Sequence, residues 1–261
     1  MPYRPHPVAL PDLTLSGTVT VTVWSTDAAT TPRVLTAVDR AWRAQPEERR
    51  PPAYAVCAAA DGSTLLHYAR WPDDTAATTG PGPYEEAVRT AAPVAERLAH
   101  GAYHRYRTGP RAEGEDRTAG CLVVVTVTFD GADPDRQRDW TDGMFAATGH
   151  DPYDRTGVIA AHFHTSADGT EVLNLAEWES EEAHRAAFEG APADPADPVD
   201  GQPAEEPAVE PELTPEQQAA WARVVNYPGI TGSRVVRHVP LLVLAPSSGA
   251  DAPRGGRRAG G

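Results

Sequence analysis

The side chains best suited to chemistry lie in one strand-like run in the second half of the chain. Asn174, Ala176 and Trp178 alternate along it, so they share one face of the predicted strand. An amide and an indole N–H group then flank a small alanine, which suits a flat aromatic ligand lying on that alanine. A core tryptophan beside an asparagine bonded to a neighbouring element fits equally well, and the spacing alone leaves both interpretations open.

A histidine follows one turn into the next predicted helix. His184 precedes Phe188 by four residues, so it faces the same cavity if Phe188 points inwards. A half-buried histidine is the natural acid or base near neutral pH, since its pKa lies close to that range. A structural or surface role for His184 remains the alternative.

Two further histidines, His162 and His164, share one face of a strand and so could bind a metal ion. No third ligand stands at a recognisable spacing from them. The sequence also has no P-loop, dinucleotide-binding fingerprint, nucleophile elbow or cysteine-based metal motif. We therefore expect neither a metal nor an organic cofactor.

The strand that carries the candidate residues has a counterpart earlier in the chain, at a spacing of 107 residues without a gap. Each copy is an alternating strand, an Asp-Gly turn and a second strand that ends in tryptophan, which is the pattern of a β-hairpin. The matched residues are Asp61-Gly62-Ser63 with Asp168-Gly169-Thr170, Leu66 with Leu173, Ala69 with Ala176, and Trp71 with Trp178. The sequence therefore predicts a duplicated fold.

Hydrophobic periodicity predicts the element order βαββαβ in each half. In the first half we expect strands at 17–25 and 102–108, a hairpin over 53–71 and a helix from Pro32 to Trp42. A second helix is expected over 83–100, kinked or interrupted at Pro93. In the second half we expect strands at 121–129, 158–165, 171–178 and 233–244, a helix after Asp133, and a helix after Ser180 that resumes at 214–226.

These elements predict an α+β fold with one unit over 17–110, a linker at 111–119 and a second unit over 120–245. Each unit would be a four-stranded antiparallel sheet, and packing the two sheets on each other would form an internal pseudo-dimer. The terminal segments 1–16 and 246–261 are expected to be disordered. So is the acidic, Pro-rich insert 189–213, for which a lid over a nearby pocket is the alternative.

The formal net charge of −14 argues against nucleic acid or an anionic membrane as a partner. Eight acidic residues and no basic one lie between 189 and 213, which leaves about −6 for the rest. Cys57 and Cys121 stand one in each half and are expected to be reduced. With no long apolar run and no signal-peptide pattern, we expect a cytoplasmic protein.

Residues 161–184, with the sequence AHFHTSADGTEVLNLAEWESEEAH, resemble the antibiotic biosynthesis monooxygenases. The resemblance is carried by Asn-x-x-x-Trp-x-Ser-x-x-Ala, and the βαββαβ order extends it over the second half. It implies a ferredoxin-like unit that pairs into a dimeric α/β barrel. It also implies oxidation of a polycyclic aromatic polyketide, an anthrone or phenol, to a quinone by O₂ without flavin, haem or metal.

The resemblance also implies which residues would act. The family's asparagine and tryptophan fall on Asn174 and Trp178, its tyrosine falls on His184, and its arginine falls near Trp221. The catalytic residues would be Asn174, Trp178 and His184, and the substrate-binding residues Trp140, Met144, His164, Ala176 and Trp221. His67 replaces the asparagine in the first half, so we expect one competent site.

The implied mechanism forms an electron-rich enolate that passes an electron to O₂. Asn174 and Trp178 would donate hydrogen bonds to its oxyanion, with His184 as base or proton donor. Haem degradation is disfavoured, because the haem-degrading relatives carry an asparagine in their first strand and neither 19–24 nor 121–129 contains one. A polyketide cyclase and a non-catalytic aromatic-binding or scaffold protein remain open. The protein would be a monomer with an internal pseudo-dimer, or a homodimer.

Overall fold

A computed structural model describes residues 8–109, 116–148, 157–189 and 214–246. The strands are β1 (Thr18–Ser25), β2 (Ala53–Ala59), β3 (Thr64–Trp71), β4 (Arg97–Thr108), β5 (Cys121–Phe129), β6 (Val158–Ser166), β7 (Glu171–Trp178) and β8 (Ile230–Leu244). The helices are α1 (Thr31–Ala44), α2 (Asp74–Thr79), α3 (Gly82–Ala91), α4 (Pro134–Thr148), α5 (Glu181–Glu189) and α6 (Pro215–Val225), with a 3₁₀ turn at Glu47–Arg49. All eight strands join in one closed barrel, in the order β1-β3-β2-β8-β5-β7-β6-β4.

The two predicted hairpins are confirmed, and their turns are built in the same way. Gly62 and Gly169 have φ values of +71° and +80°, a conformation that glycine adopts without strain. In each turn the aspartate Oδ1 accepts the backbone N–H two residues further on. The distances are 2.9 Å from Asp61 to Ser63 and 3.0 Å from Asp168 to Thr170.

The barrel closes because two strands are long enough to pair with both halves of the chain. β4 pairs with β1 through most of its length and with β6 from Tyr103 onwards. β8 pairs with β5 up to His238 and with β2 from there to its end. The two sheets therefore face each other across one shared interior, in the closed barrel that the resemblance implies, and their edges are also joined by hydrogen bonds.

The sheet is apolar on both faces, and each face is covered differently. The face that lines the barrel interior holds side chains from both halves, among them Val21, Leu66, Val124 and Leu173. The outer face is covered by α1 and α3 over the first half and by α4 and α6 over the second. Because the interior core is shared, the halves are not independent domains.

Several sequence predictions need correction. The helix expected over 83–100 ends at Ala91, as the predicted interruption at Pro93 allows, but it does not resume, because β4 already begins at Arg97. A short helix that the sequence did not predict, α2, follows Asp73, whose side chain accepts the N–H of Ala76.

The ends of the chain depart from prediction as well. β8 begins at Ile230, three residues earlier than expected. The segment 1–16 was expected to be disordered, yet Leu13 lies inside the barrel with 2% exposure. The predictions for 1–7, 110–115, 190–213 and 247–261 lie outside the described residues.

Both cysteines are free and buried, as predicted. Burial raises the pKa of Cys57 to about 12 and that of Cys121 to about 11, so neither thiol is poised to react. None of the helices in the described ranges is long and apolar enough to cross a membrane.

We expect Leu13→Ala to lower the free energy of unfolding by about 2–5 kcal/mol, because it removes a buried side chain from the barrel interior. Leu15→Ala is the matched control: Leu15 is 47% exposed, so the cost should stay below about 0.5 kcal/mol. Urea unfolding followed by circular dichroism measures both. Equal midpoints for the two variants would contradict the packing of Leu13.

Two histidines of the barrel interior should make the fold sensitive to acid. Burial lowers the pKa of His164 to about 3 and that of His238 to about 4, whereas an unfolded histidine titrates near 6.5. Below pH 6.5 the unfolded chain therefore binds protons that the folded chain does not. The free energy of unfolding should fall as pH drops from 6.5 towards 5, by up to about 1.4 kcal/mol per pH unit for each histidine.

Urea midpoints measured between pH 7 and pH 5 test this dependence. His238→Gln should flatten the slope, because the variant no longer has that titrating group. Leu15→Ala removes an exposed side chain that has no titrating group, and it should leave the slope unchanged. A stability independent of pH over this range would overturn the prediction.

Candidate functional site

A cavity of about 390 Å³ lies between the sheet of the second half and the helices that cover it. That volume is within the range of small-molecule sites. Its lining is Val125 and Val127 from β5, Trp140 and Met144 from α4, Phe163 from β6, Val172 and Asn174 from β7, His184 from α5, Trp221 from α6, and Val235 and Arg237 from β8. The walls are therefore apolar and aromatic, with three polar side chains among them.

The helices over the cavity are fixed by hydrogen bonds at their ends and along their buried faces. Gln137 of α4 is buried, and its amide donates to Ser166 Oγ at 2.9 Å, which ties the helix to the β6–β7 hairpin. Trp140 Nε1 donates to the carbonyl of Val224 at 3.3 Å and so links α4 to α6. α6 begins with a capping box formed by Thr214 and Gln217. Both tryptophans of the lining, Trp140 and Trp221, are thus held on anchored helices.

Asn174 places an amide in this apolar wall. Strand alternation turns Asn174 towards the helices, while Leu173 and Leu175 point into the barrel. The Oδ1 atom of Asn174 is buried and accepts no hydrogen bond from the described residues. Leaving a buried acceptor unpaired costs about 1–3 kcal/mol, which a ligand that donates to it would recover. Rotating the amide by half a turn presents the NH₂ group instead.

His184 is held in a defined state by its neighbours. Arg237 Nε donates to His184 Nδ1 at 2.9 Å. Because a guanidinium can only donate, Nδ1 must carry the lone pair, and the ring proton of the neutral histidine lies on Nε2. The indole of Trp178 meets the imidazole edge to face, with 4.8 Å between the ring centres. His184 is 6% exposed, so it is a buried group of the cavity wall.

The structure brings together most of the residues that the sequence singled out. Trp140, Met144, Asn174, His184 and Trp221 all line the cavity. Trp178 is buried beside His184 and is not part of the lining, so it contacts the site through that ring. The orientation predicted for Phe188 lies outside the described side chains.

Two predicted substrate-binding residues are misplaced. His164 faces the barrel interior, where its Nδ1 bonds to the carbonyl of His162 at 2.9 Å. Alternation along β6 turns Phe163 to the cavity instead. Ala176 is buried in the core under the helices and does not line the cavity.

Arg237 gave no local signal in the sequence, since it lies 53 residues from the histidine that it contacts. Only the pairing of β8 with β5 brings it to the cavity.

The barrel interior does not assemble a metal site from its histidines. His162 bonds through Nε2 to Glu177 Oε1 at 3.0 Å and through Nδ1 to Thr108 Oγ1 at 3.2 Å. Within the described ranges, no three His, Cys, Asp or Glu side chains are grouped so that they could hold a metal ion.

The corresponding space in the first half is filled by larger side chains. Trp24 takes the strand position that Val127 holds in the second half, and Tyr54 takes that of Ala161. The remaining cavity has a volume of about 20 Å³, enough for one water molecule.

Some polar groups of this first-half space bond to one another, whereas His67 Nε2 and Tyr84 Oη have no hydrogen-bond partner among the described residues. Tyr54 Oη lies 2.8 Å from His67 Nδ1, and Trp71 Nε1 donates to Thr20 Oγ1 at 2.8 Å. Burial lowers the pKa of His67 to about 3, so this histidine is neutral. The first half therefore has no room for an aromatic ligand at this position.

No protein-family model matches the chain, and no curated protein matches it in sequence. Solved structures do match. An anthrone oxidase-like protein is 15% identical, with a TM-score of 0.59 over 89% of this chain and 94% of its own. A monooxygenase candidate from Lactobacillus acidophilus NCFM is 8% identical, with a TM-score of 0.53 over 88% of this chain and 96% of its own.

A monooxygenase from the ActVA-Orf6 gene of Streptomyces coelicolor, solved with nanaomycin D, is 30% identical. It covers 49% of this chain and 94% of its own, with a TM-score of 0.31. The likenesses at 8% and 15% identity concern the fold alone. The chain has the mixed α+β fold of these monooxygenase-like proteins.

Proposed function

We propose that this protein is a cofactor-independent monooxygenase that oxidises a polycyclic aromatic polyketide, an anthrone or phenol, to a quinone with O₂. The observation that carries the proposal is the apolar cavity of about 390 Å³ in which the Asn174 amide and His184 face the same space. The likeness of residues 161–184 to antibiotic biosynthesis monooxygenases supports it. The fold shared with an anthrone oxidase-like protein is consistent with it.

The cavity suits a flat, weakly polar ring system. Its walls offer valines on the sheet side and the indoles of Trp140 and Trp221 on the helix side, so both faces of a ring would be in apolar contact. The unpaired Oδ1 of Asn174 would accept a phenolic O–H, and the amide NH₂ would donate to a ring oxygen after rotation. A substrate with a phenol or a ketone beside its reactive carbon meets both conditions.

The proposed reaction balances without an external reductant. An anthrone methylene loses a proton to give an enolate, which passes one electron to O₂, and the two radicals combine to a hydroperoxide. Loss of water from the hydroperoxide then gives the quinone carbonyl, so one O₂ yields one quinone oxygen and one water. The substrate supplies all the electrons, and no flavin, haem or metal is required.

In this mechanism the protein stabilises charge and orients the ring. The amide of Asn174 donates to the enolate oxygen, a contribution of about 3 kcal/mol by comparison with oxyanion holes. Because the proton of His184 lies on Nε2, this histidine acts as a hydrogen-bond donor to the developing oxyanion or peroxide. The proton that the substrate loses passes to water where the cavity opens to solvent, beside Val235, which is 53% exposed. Trp178 is a positioning residue, since it contacts the site through His184.

We further propose that the barrel is an internal pseudo-dimer of two ferredoxin-like units with one working site. The repeated hairpin and the identical order of strands in each half support this arrangement. The filled space around His67 supports loss of the first site. The protein would then act as a cytoplasmic monomer on a small aromatic substrate.

The test is to incubate metal-free protein with a dihydroxyanthrone, with and without O₂, and with a chelator present. We expect consumption of one O₂ per quinone formed, faster than the uncatalysed oxidation and unaffected by the chelator. A cyclised product formed without O₂ from a linear polyketide would favour the cyclase alternative. Binding of the anthrone without turnover would favour the non-catalytic aromatic-binding alternative. Activity that depends on added flavin or metal would contradict the cofactor-free mechanism.

Paired substitutions in the two halves test which site works. Asn174→Ala should lower kcat/KM by roughly 10²–10³-fold while leaving the fold intact, because it removes the amide from the cavity. His67→Ala, its first-half control, should leave turnover nearly unchanged and lower stability, because it leaves Tyr54 without its partner. Trp178→Phe and Trp71→Phe provide a second pair with the same expected asymmetry. Steady-state kinetics and thermal unfolding measure both effects, and equal losses of turnover would indicate two working sites.

A further inference from the structure

The barrel interior contains a cavity of its own, of about 300 Å³, at one end of the barrel. It lies where β3 and β7 begin and where β1 and β5 end. The interior of an eight-stranded barrel is usually filled by its own side chains or holds one small ligand. At this end the inward positions include Ala99 and Gly232, whose small size leaves space. The volume is at the lower limit of small-molecule sites.

The sheet separates this interior cavity from the candidate site under the helices. Along β8, Arg234 and Val236 line the interior cavity, whereas Val235 and Arg237 line the outer one. This alternation is that of an extended strand, whose successive side chains point to opposite faces. The two cavities therefore take separate molecules.

The interior cavity combines an apolar wall with free hydroxyl groups. Part of its lining belongs to the interior core: Val21, Leu66, Val124 and Leu173. Three threonine hydroxyls also line it and form no hydrogen bond with any described residue: Thr64, Thr126 and Thr128. A ligand that fits this lining has an apolar body and polar groups at its ends.

The cavity also holds one cation and one carboxylate that are not paired with each other. Arg234 is exposed and forms no hydrogen bond or ion pair with any residue that the structure describes. Tyr103 Oη donates to Glu171 Oε2 at 2.9 Å, and Glu171 Oε1 has no partner among the described residues. The third titratable side chain of the lining, His238, adds no charge near neutral pH, because burial lowers its pKa to about 4.

These two charged groups call for different partners on one ligand. A guanidinium presents paired N–H groups whose geometry matches a carboxylate. A carboxylate oxygen can only accept, so Glu171 Oε1 needs a donor such as a hydroxyl group. β5 lies between the strands of Arg234 and Glu171, which puts their backbones roughly 10 Å apart. Both side chains extend into the cavity, so a molecule about one ring long bridges them.

We propose that the barrel interior is a binding site for a small hydroxy-substituted carboxylic acid with an apolar body. Its carboxylate binds Arg234, its hydroxyl donates to Glu171, and its body packs on the valines and leucines of the wall. This site is separate from the cavity of the proposed oxidation, so it does not depend on that reaction.

The test measures binding of 4-hydroxybenzoate, its methyl ester and benzoate by calorimetry. For the unaltered protein, Kd should be roughly 10–100-fold lower for 4-hydroxybenzoate than for the ester, and roughly tenfold lower than for benzoate. Arg234→Ala should remove the preference for the acid over the ester, and Glu171→Gln the preference for the hydroxylated acid over benzoate. Arg40→Ala, which removes an exposed arginine of α1, should change neither preference.

Two further variants show which cavity the acid occupies. Ala99→Trp fills the interior cavity from a residue of its lining and should abolish binding, whereas Asn174→Ala alters only the outer cavity and should leave Kd unchanged. No measurable binding of 4-hydroxybenzoate, equal affinity for acid and ester, or binding that survives Ala99→Trp overturns the proposal. Circular dichroism checks that each variant folds. Should Arg234→Ala not fold, Arg234→Lys keeps the charge without the paired N–H groups, and a partial loss for the acids alone is then expected.

Discussion

The need to cover a sheet that is apolar on both faces determines the architecture of this protein. A four-stranded sheet with helices on one side would leave its other face in water. Here the uncovered faces of both halves turn inwards and share one core, and the two long strands β4 and β8 close the barrel around it. The helices then have only the outer face to cover. The candidate site lies in that outer layer.

Side-chain size at a few strand positions decides whether the outer layer contains a cavity. Both halves have the same order of strands, yet one encloses about 390 Å³ and the other about 20 Å³. Trp24 and Tyr54 fill one half, and the smaller Val127 and Ala161 leave the other open. The polar groups do not divide in the same way: among the described residues, His67 Nε2 and Asn174 Oδ1 are both buried without a hydrogen-bond partner, although His67 Nδ1 is bonded to Tyr54.

Local sequence patterns predicted most of the strands and helices, but they did not predict how strands of the two halves pair with each other. The hairpins were readable because an Asp-Gly turn and alternating residues are both local signals. The edge pairings that close the barrel could not be predicted, because pairs such as β2 with β8 bring together residues about 185 positions apart along the chain.

The same limit applies to the candidate site. Asn174 and His184 were identified from one run of sequence, and they do line the cavity. His164 was misplaced because two neighbouring residues of a strand face opposite sides, and the sequence did not establish which side was the barrel interior. Arg237 reaches the site from a distant strand, so no local pattern could have indicated it.

Closure of the barrel also gives the first half a role that does not depend on a pocket of its own. β4 and β8 each complete a sheet that belongs partly to the other half. Deleting the first half would expose the free edges of β6 and β8 and open the interior core to water, and such edges promote aggregation. The backbone of the first half is therefore indispensable to the second, whatever chemistry the first half performs. Substitutions in its outer layer can change that half's chemistry without making the half removable.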